Sequence, residues 1–259
     1  MRENLQNYIV FIEAHWAESS SPSRGTGFFI NRLGLILTCQ HVVHNGSEYA
    51  RQITAKWENN IFELEVVSIS PDPESLDYVL LRTKSGHIPA DASIARLSVW
   101  EKSWTDPNQS DDFETYGFRS STMKGLYATG HIDGLISTVG SDWHVMQLEP
   151  GANRWDAGKE GMSGAPVYHK DSGCVVGMIL GRLEEDDSIH PLAVPIEEIC
   201  KTCAPVLELV EKGNLYKVLV EVLRPGRWYT SEGLVSLYNN LTYPGLPSYD
   251  SLGNNKVVG

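Results

Sequence analysis

The sequence is poor in positive charge. Its 259 residues carry 21 Lys and Arg against 33 Asp and Glu, a formal net charge of −12 at pH 7. A surface that holds a phosphate backbone needs the opposite balance, so no nucleic acid is expected as a partner. Long apolar runs are lacking too. None approaches the roughly 20 residues with which a helix spans a bilayer, and no membrane partner is expected. The stretch Met1–Glu13 has no basic start, no proper apolar h-region and no small-residue cleavage site, which sets the expected location as cytoplasmic. Cysteine is scarce: Cys39, Cys174, Cys200 and Cys203 are all there are. Cys39 and Cys174 sit in apolar runs. The Cys200-x-x-Cys203 pair has no second Cys or His pair at matching spacing. Neither a disulfide framework nor a metal site is therefore expected. No repeat of solenoid length occurs.

Short β-branched and aromatic runs are plentiful. They fall at 8–12, 25–30, 34–38, 49–57, 62–69, 78–82, 113–118, 126–136, 144–148, 165–168, 175–180 and 192–194, with Gly, Pro and Asn between them. That rhythm predicts an all-β sandwich or barrel. The less regular stretch 95–110 reads as a surface loop. Composition changes after Pro195. Residues 196–203 suit one short helix, and 206–223 repeat apolar residues with a helical period, a break being expected at Gly213-Asn214. A further helix is expected over 234–241, followed by a turn-rich tail. The chain accordingly divides into a domain over 1–203 and a helical C-terminal segment over 204–259.

One stretch carries candidate chemistry: Gly-Lys-Glu-Gly-Met-Ser-Gly-Ala-Pro-Val-Tyr over 158–168. Gly158, Gly161 and Gly164 bracket a single hydroxyl, Ser163, on what must be a tight turn. Such a turn presents the Ser163 Oγ outward, and the N–H groups of Gly161 and Ser163 can converge on an oxyanion. An activated serine needs a base, and the base needs an orienting acid. His41, just after the strand-like 34–38 run, is the first choice of base, with His44 as the alternative beside Asn45-Gly46. Asp77, immediately before the apolar 78–81 run, is the first choice of acid, with Asp72 as the alternative.

Taken in order, Gly25-Thr-Gly-Phe-Phe-Ile, Leu37-Thr-Cys-Gln-His-Val-Val, Leu76-Asp-Tyr-Val-Leu-Leu and Gly161-Met-Ser-Gly-Ala-Pro-Val resemble the chymotrypsin-fold, trypsin-like serine peptidases. The set is most similar to the bacterial branch that includes the HtrA and glutamyl-endopeptidase types. Val175–Leu180 resembles the strand after the nucleophile, and Leu192–Ile196 the segment that ends the second barrel. The resemblance covers about residues 8–200. It implies two six-stranded antiparallel β-barrels followed here by the helical appendage. It further implies that His41 is the general base, Asp77 its orienter and Ser163 the nucleophile, with Gly161 and Ser163 as the oxyanion hole and no cofactor. A protein or peptide is the implied substrate. A regulatory protein partner for the C-terminal segment, and a setting in bacterial defence or signalling, are implied by the same likeness.

Two departures carry meaning. Ala165 stands where the family usually has a second glycine. Met162 stands where trypsin-like zymogens carry an aspartate, so activation by cleavage is not expected; activity is constitutive or gated by ordering of the 155–160 loop. The specificity pocket would involve Ala157, with Asp156 beside it, and a wall of Leu180, Gly181 and Arg182. The acidic Glu184–Asp187 run would favour a basic substrate residue if it faced the pocket, whereas Arg182 would favour an acidic one. A competing reading keeps the fold without catalysis, as a protease-like module that binds peptides by strand addition. An α/β-hydrolase is disfavoured, because it needs the nucleophile before the acid and the base.

Overall fold

The structure is a computed structural model that describes residues 5–17, 21–73, 76–101, 111–119, 124–137, 142–151, 161–185 and 188–222. Six strands, β1 (Ile9–His15), β2 (Ser23–Phe29), β3 (Leu35–Thr38), β4 (Gln52–Trp57), β5 (Asn60–Ile69) and β6 (Val79–Thr83), form one antiparallel barrel. Its order is β1-β2-β3-β6-β5-β4, and it closes where Phe11 of β1 pairs with Lys56 of β4. Six more, β7 (Asp112–Phe118), β8 (Gly125–Ser137), β9 (His144–Pro150), β10 (Pro166–His169), β11 (Cys174–Glu185) and β12 (Ser188–Pro195), close a second barrel in the order β7-β8-β9-β12-β11-β10. The architecture is the pair of closed six-stranded barrels that the resemblance implied. Closure leaves neither sheet with a long free edge.

β1 is buried along most of its length rather than on alternate residues. One of its faces fills the first barrel and the other meets the second, where Phe11 packs edge-on against Phe118 of β7 with ring centroids 5.5 Å apart. The second core gathers Phe113, Ile132, Met146, Leu148, Val176 and Ile179, together with Trp100 and Met162. Each such side chain is worth about 1.5–3 kcal/mol once removed from water. Met162 is 1 % exposed. The position that holds an aspartate in zymogens is thus apolar core here, where an unpaired carboxylate would be costly.

The chain between the barrels corrects the surface-loop expectation for 95–110. Residues 102–110 lie outside the described residues, but Ala95, Leu97 and Trp100 are buried. The Ala95 N–H donates to Phe29 O at 2.8 Å in the first barrel. The Val175 N–H donates to Arg96 O at 2.7 Å and the Ser98 N–H to Val175 O at 3.0 Å in the second. The segment therefore straps one barrel to the other, which is why its apolar residues are inside.

Pro195, the last residue of β12, is the N-cap of helix α1 (Ile196–Thr202), which has Glu197 and Glu198 in its first turn, where the helix dipole favours negative charge. The buried Glu198 carboxylate accepts from His144 Nδ1 at 2.9 Å and from Lys201 Nζ at 2.7 Å, which fixes α1 to β9. The other end of α1 reaches the first barrel, where Thr202 Oγ1 lies 2.8 Å from Tyr78 Oη. Helix α2 (Ala204–Val222) follows and runs through Gly213 and Asn214 without the expected break. A lone glycine costs a helix about 1 kcal/mol, too little to interrupt it. The compact unit holding both barrels extends to Leu207, and a second unit comprises 208–259. The helix expected over 234–241 lies outside the described residues. No helix among the described residues is long and apolar enough to cross a membrane.

Candidate active site

His41 is carried by a single 3-10 turn, Gln40–Val42, that follows β3. Gln40 and Val42 point inward and are buried, which leaves the residue between them facing out. The turn packs closely on β2. A Cβ on Gly25 would come within 2.6 Å of Val42, so only a glycine fits beneath it. Asp77 lies just before β6, the strand that pairs with β3 from Leu35↔Arg82 to Thr38↔Val79. This pairing delivers the carboxylate to the His turn. Asp77 Oδ1 accepts the His41 backbone N–H at 3.0 Å, and Asp77 Oδ2 accepts the ring Nδ1–H. The imidazole side chain is 50 % exposed and the carboxylate 12 %, so the ring is reachable from solvent while its anchor is sealed. With the proton on Nδ1, Nε2 is the free basic nitrogen.

The alternatives separate cleanly. His44 Nδ1 accepts the Gly46 N–H at 3.1 Å, and its ring packs at a tilt of 58° against Tyr49 with centroids 4.6 Å apart, which commits it to its own turn. Asp77, and not Asp72, meets His41. A cleft of about 430 Å³ opens beside the imidazole, with Trp16, Pro22, His44 and Asn45 among its walls.

Ser163 sits on the turn that precedes β10. The Ala165 N–H donates to Met162 O at 2.9 Å and closes the turn, with Ser163 and Gly164 at its apex. Gly164 has φ +87, the conformation that the third residue of such a turn requires. A Cβ there would lie 1.9 Å from Thr26 O. Gly161 also has positive φ, +105. Among the described residues, no backbone acceptor takes the N–H of Gly161 or of Ser163. Gly158 and Ala157 lie outside the described residues, as does the 155–160 loop.

The Ser163 turn is held from both barrels. The Thr26 N–H of β2 donates to Ser163 O at 2.9 Å, and Thr26 Oγ1 donates to Gly161 O at 2.6 Å. Thr26 Oγ1 also accepts the Phe118 N–H at 3.0 Å, and Thr38 Oγ1 donates to Thr26 O at 2.7 Å. Ile179 O of β11 accepts two donors, the Gly164 N–H at 2.8 Å and the Cys39 S–H at 3.2 Å. One carbonyl thus touches both the serine turn and the residue that starts the histidine turn. Burial pushes the Cys39 thiol well above its ordinary range, the negative charge of Asp77 adds to this, and a hydrogen bond from the Gly164 backbone opposes it. Thr26, Cys39 and Ile179 were missed as site residues. The Gly-Thr-Gly spelling around Thr26 was the one available signal.

Of the expected pocket wall, Leu180 is half-buried and forms a bulge, since Ile179 pairs with Ala193 and Gly181 with Leu192. A Cβ on Gly181 would meet open space. β10 accompanies β11 only as far as Pro166↔Met178. Ile179 beyond it is still tied to the serine turn, its N–H donating to Ala165 O at 2.7 Å, and β11 then continues from Leu180 without β10 beside it. Arg182 continues β11 opposite Pro191. Its side chain, like those of Glu184–Asp187, lies outside the described residues.

Comparison with solved structures finds likeness to the Rv3671c protease of M. tuberculosis. The active form is 20% identical over 78% of this chain and 82% of that chain, with a TM-score of 0.58. An inactive form is 20% identical over 78% and 90%, with a TM-score of 0.54. At such identity the likeness speaks to the fold. No curated protein matches the sequence. A family model, the trypsin-like peptidase domain, matches residues 25–178, a span that includes His41, Asp77 and Ser163. With more than half its length matched, the chain belongs to the trypsin-like peptidase domain family.

Proposed function

We propose that the protein is a serine endopeptidase in which Ser163 is the nucleophile, His41 the general base and Asp77 its orienter. The observation that carries this reading is the double hydrogen bond from His41 to the sealed Asp77 carboxylate, which leaves Nε2 as the exposed basic nitrogen. Nε2 takes the proton of Ser163 Oγ as the oxygen attacks the substrate carbonyl. The oxyanion of the tetrahedral intermediate is met by the Gly161 and Ser163 N–H groups. The imidazolium, stabilised by Asp77, then gives its proton to the leaving amine, and water repeats the cycle on the acyl-enzyme. The substrate strand lies along β11 near Gly181, where an added Cβ would meet nothing within 4 Å.

The proposed setting of the activity is the cytoplasm, where it would act on a few protein substrates of a defence or signalling system. The segment 204–259 is the proposed seat of a regulatory protein partner. The test is incubation of the purified protein with an unfolded protein such as casein, with fragments read by mass spectrometry. Fragments are expected from the wild type and none from Ser163→Ala. Equal fragmentation by the two proteins would refute the assignment, and binding of the chain without cleavage by either would favour the peptide-binding module.

A further inference from the structure

We infer that Cys39, His41 and Asp77 also form a site for a thiophilic divalent cation, zinc by its chemistry, and that the ion holds the enzyme inactive. Binding stands on the donor geometry alone, while inhibition rests on the peptidase reading above. Cysteine arithmetic gave no hint of such a site, because its three donors converge only in the fold. The Cys39 sulfur, a His41 ring nitrogen and an Asp77 carboxylate oxygen all lie within 4.8 Å of one another. Among the described residues this is the one cluster of three His, Cys, Asp or Glu donors with that spacing.

The donor set is chemically apt. Thiolate, imidazole and carboxylate are the groups that bind zinc in proteins, at about 2.0–2.3 Å. Tetrahedral bonds of that length space the donors about 3.3–3.6 Å apart. The donors, all within 4.8 Å of one another, must therefore draw around the ion, and the direct His41–Asp77 hydrogen bond must give way to bonds to it. The half-exposed imidazole beside its cleft has the room to make this adjustment and to admit the ion. Two anionic ligands balance the two positive charges of the ion, so the filled site is neutral where it is buried. Three protein ligands leave the fourth position of a tetrahedral ion to water.

Binding forms bonds to the sulfur, the imidazole and the carboxylate. The Cys39 S–H proton leaves to solvent, and the His41 Nδ1 proton is exchanged through solvent for one on Nε2, so the imidazole stays neutral and one net proton is released. The S–H bond to Ile179 O and the ring bond to Asp77 are both lost. His41 is then a ligand held by its inner nitrogen, no longer an imidazole that Asp77 orients toward Ser163. Inhibition follows without occupying the substrate strand site.

The test uses the full chain in two arms. Cadmium, a thiophilic stand-in for zinc, is titrated into Ser163→Ala, and thiolate-to-metal charge transfer is read in the near ultraviolet. Zinc is titrated into the wild type while fluorophosphonate labelling of Ser163 is followed, each protein being referred to its own chelator-treated rate. One equivalent of cadmium is expected to raise the band, and Cys39→Ala to abolish it. Cys39→Ala is also expected to weaken zinc inhibition by at least about 100-fold, more than the loss of an outer-sphere partner costs. Should Cys39→Ala fail to fold, Cys39→Ser keeps a donor to Ile179 and lacks the soft ligand. A band that survives in the folded Cys39 variant, or no band at all, overturns the site. A Cys39-dependent band in a protein that never labels, even with chelator, sustains the ion site and overturns the peptidase reading instead.

Discussion

His41 gives the Asp77 carboxylate two hydrogen bonds, one from its backbone N–H at 3.0 Å and one from its ring. The two oxygens of one side chain thereby fix both the position of the turn and the direction of the imidazole. Asp77→Asn separates these functions. The amide oxygen can keep the backbone bond, but the amide NH2 then faces Nδ1, which must accept instead of donate. The ring proton moves to Nε2, and the base is lost. Fluorophosphonate labelling and hydrolysis are expected to fall by about 10⁴-fold while the fold persists. Retained activity would remove Asp77 from the proposed mechanism.

Thr26 connects the two halves of the site. Its hydroxyl donates to Gly161 O and accepts from the Phe118 N–H, and so sets the plane of the peptide that follows Gly161. Thr26→Val is expected to cost about 1–3 kcal/mol of stability by stranding both buried partners. It is also expected to slow labelling about 10–100-fold through the misplaced oxyanion amides. Thr26→Ser keeps the hydroxyl and should restore the labelling rate. If both variants label alike, Thr26 serves stability alone.

Gly164 tolerates no side chain. Its φ of +87 and the 1.9 Å approach of a virtual Cβ to Thr26 O mean that Gly164→Ala must move either the serine turn or β2. A loss of about 2–4 kcal/mol is expected in denaturant melts, with no labelling of any folded fraction. Gly46 also has positive φ, but it has nothing within 4 Å of a Cβ. Gly46→Ala should therefore cost only the local backbone strain, about 1 kcal/mol.

Alkali should destabilise the fold through Cys39. Burial, and then the charge of Asp77, keeps its thiol protonated well above the ordinary value of 9.0. The folded chain thus holds a proton that the unfolded chain releases. The stability due to the buried neutral thiol is fully present below about pH 9 and is lost as pH rises from there through the folded-state value. Cys203 and Tyr78, both raised chiefly by burial, act in the same direction. The melting temperature is expected to fall from pH 9 upward, and Cys39→Ala to reduce that slope without abolishing it. An unchanged slope would exclude Cys39 as the group concerned.

The twelve strands were legible because each holds a short run rich in β-branched or aromatic residues, with Gly, Pro or Asn in many of the turns between them. The closeness of His41 to Asp77 was legible only through the order of four motifs, since spacing alone left His44 and Asp72 open. The contacts that join the barrels were not legible. Cys39 meets Ile179 across 140 residues of sequence and Thr26 meets Gly161 across 135, and no local pattern encodes either contact. The strap at Ala95, Leu97 and Trp100 has no period in the sequence, so its burial is not legible there. Its backbone bonds alternate between two barrels instead of following one sheet. Gly213 signals a helix break only through a preference of about 1 kcal/mol, too weak to decide the matter.

The central claim is that Ser163 is a nucleophile activated by His41. The most direct measurement is fluorophosphonate labelling of the full chain with the modified residue located by peptide mass, repeated on Ser163→Ala and His41→Ala. The account predicts one label per chain on Ser163, absent from Ser163→Ala and slowed by several orders of magnitude in His41→Ala. Label on another residue, or equal label on Ser163 without His41, would contradict it.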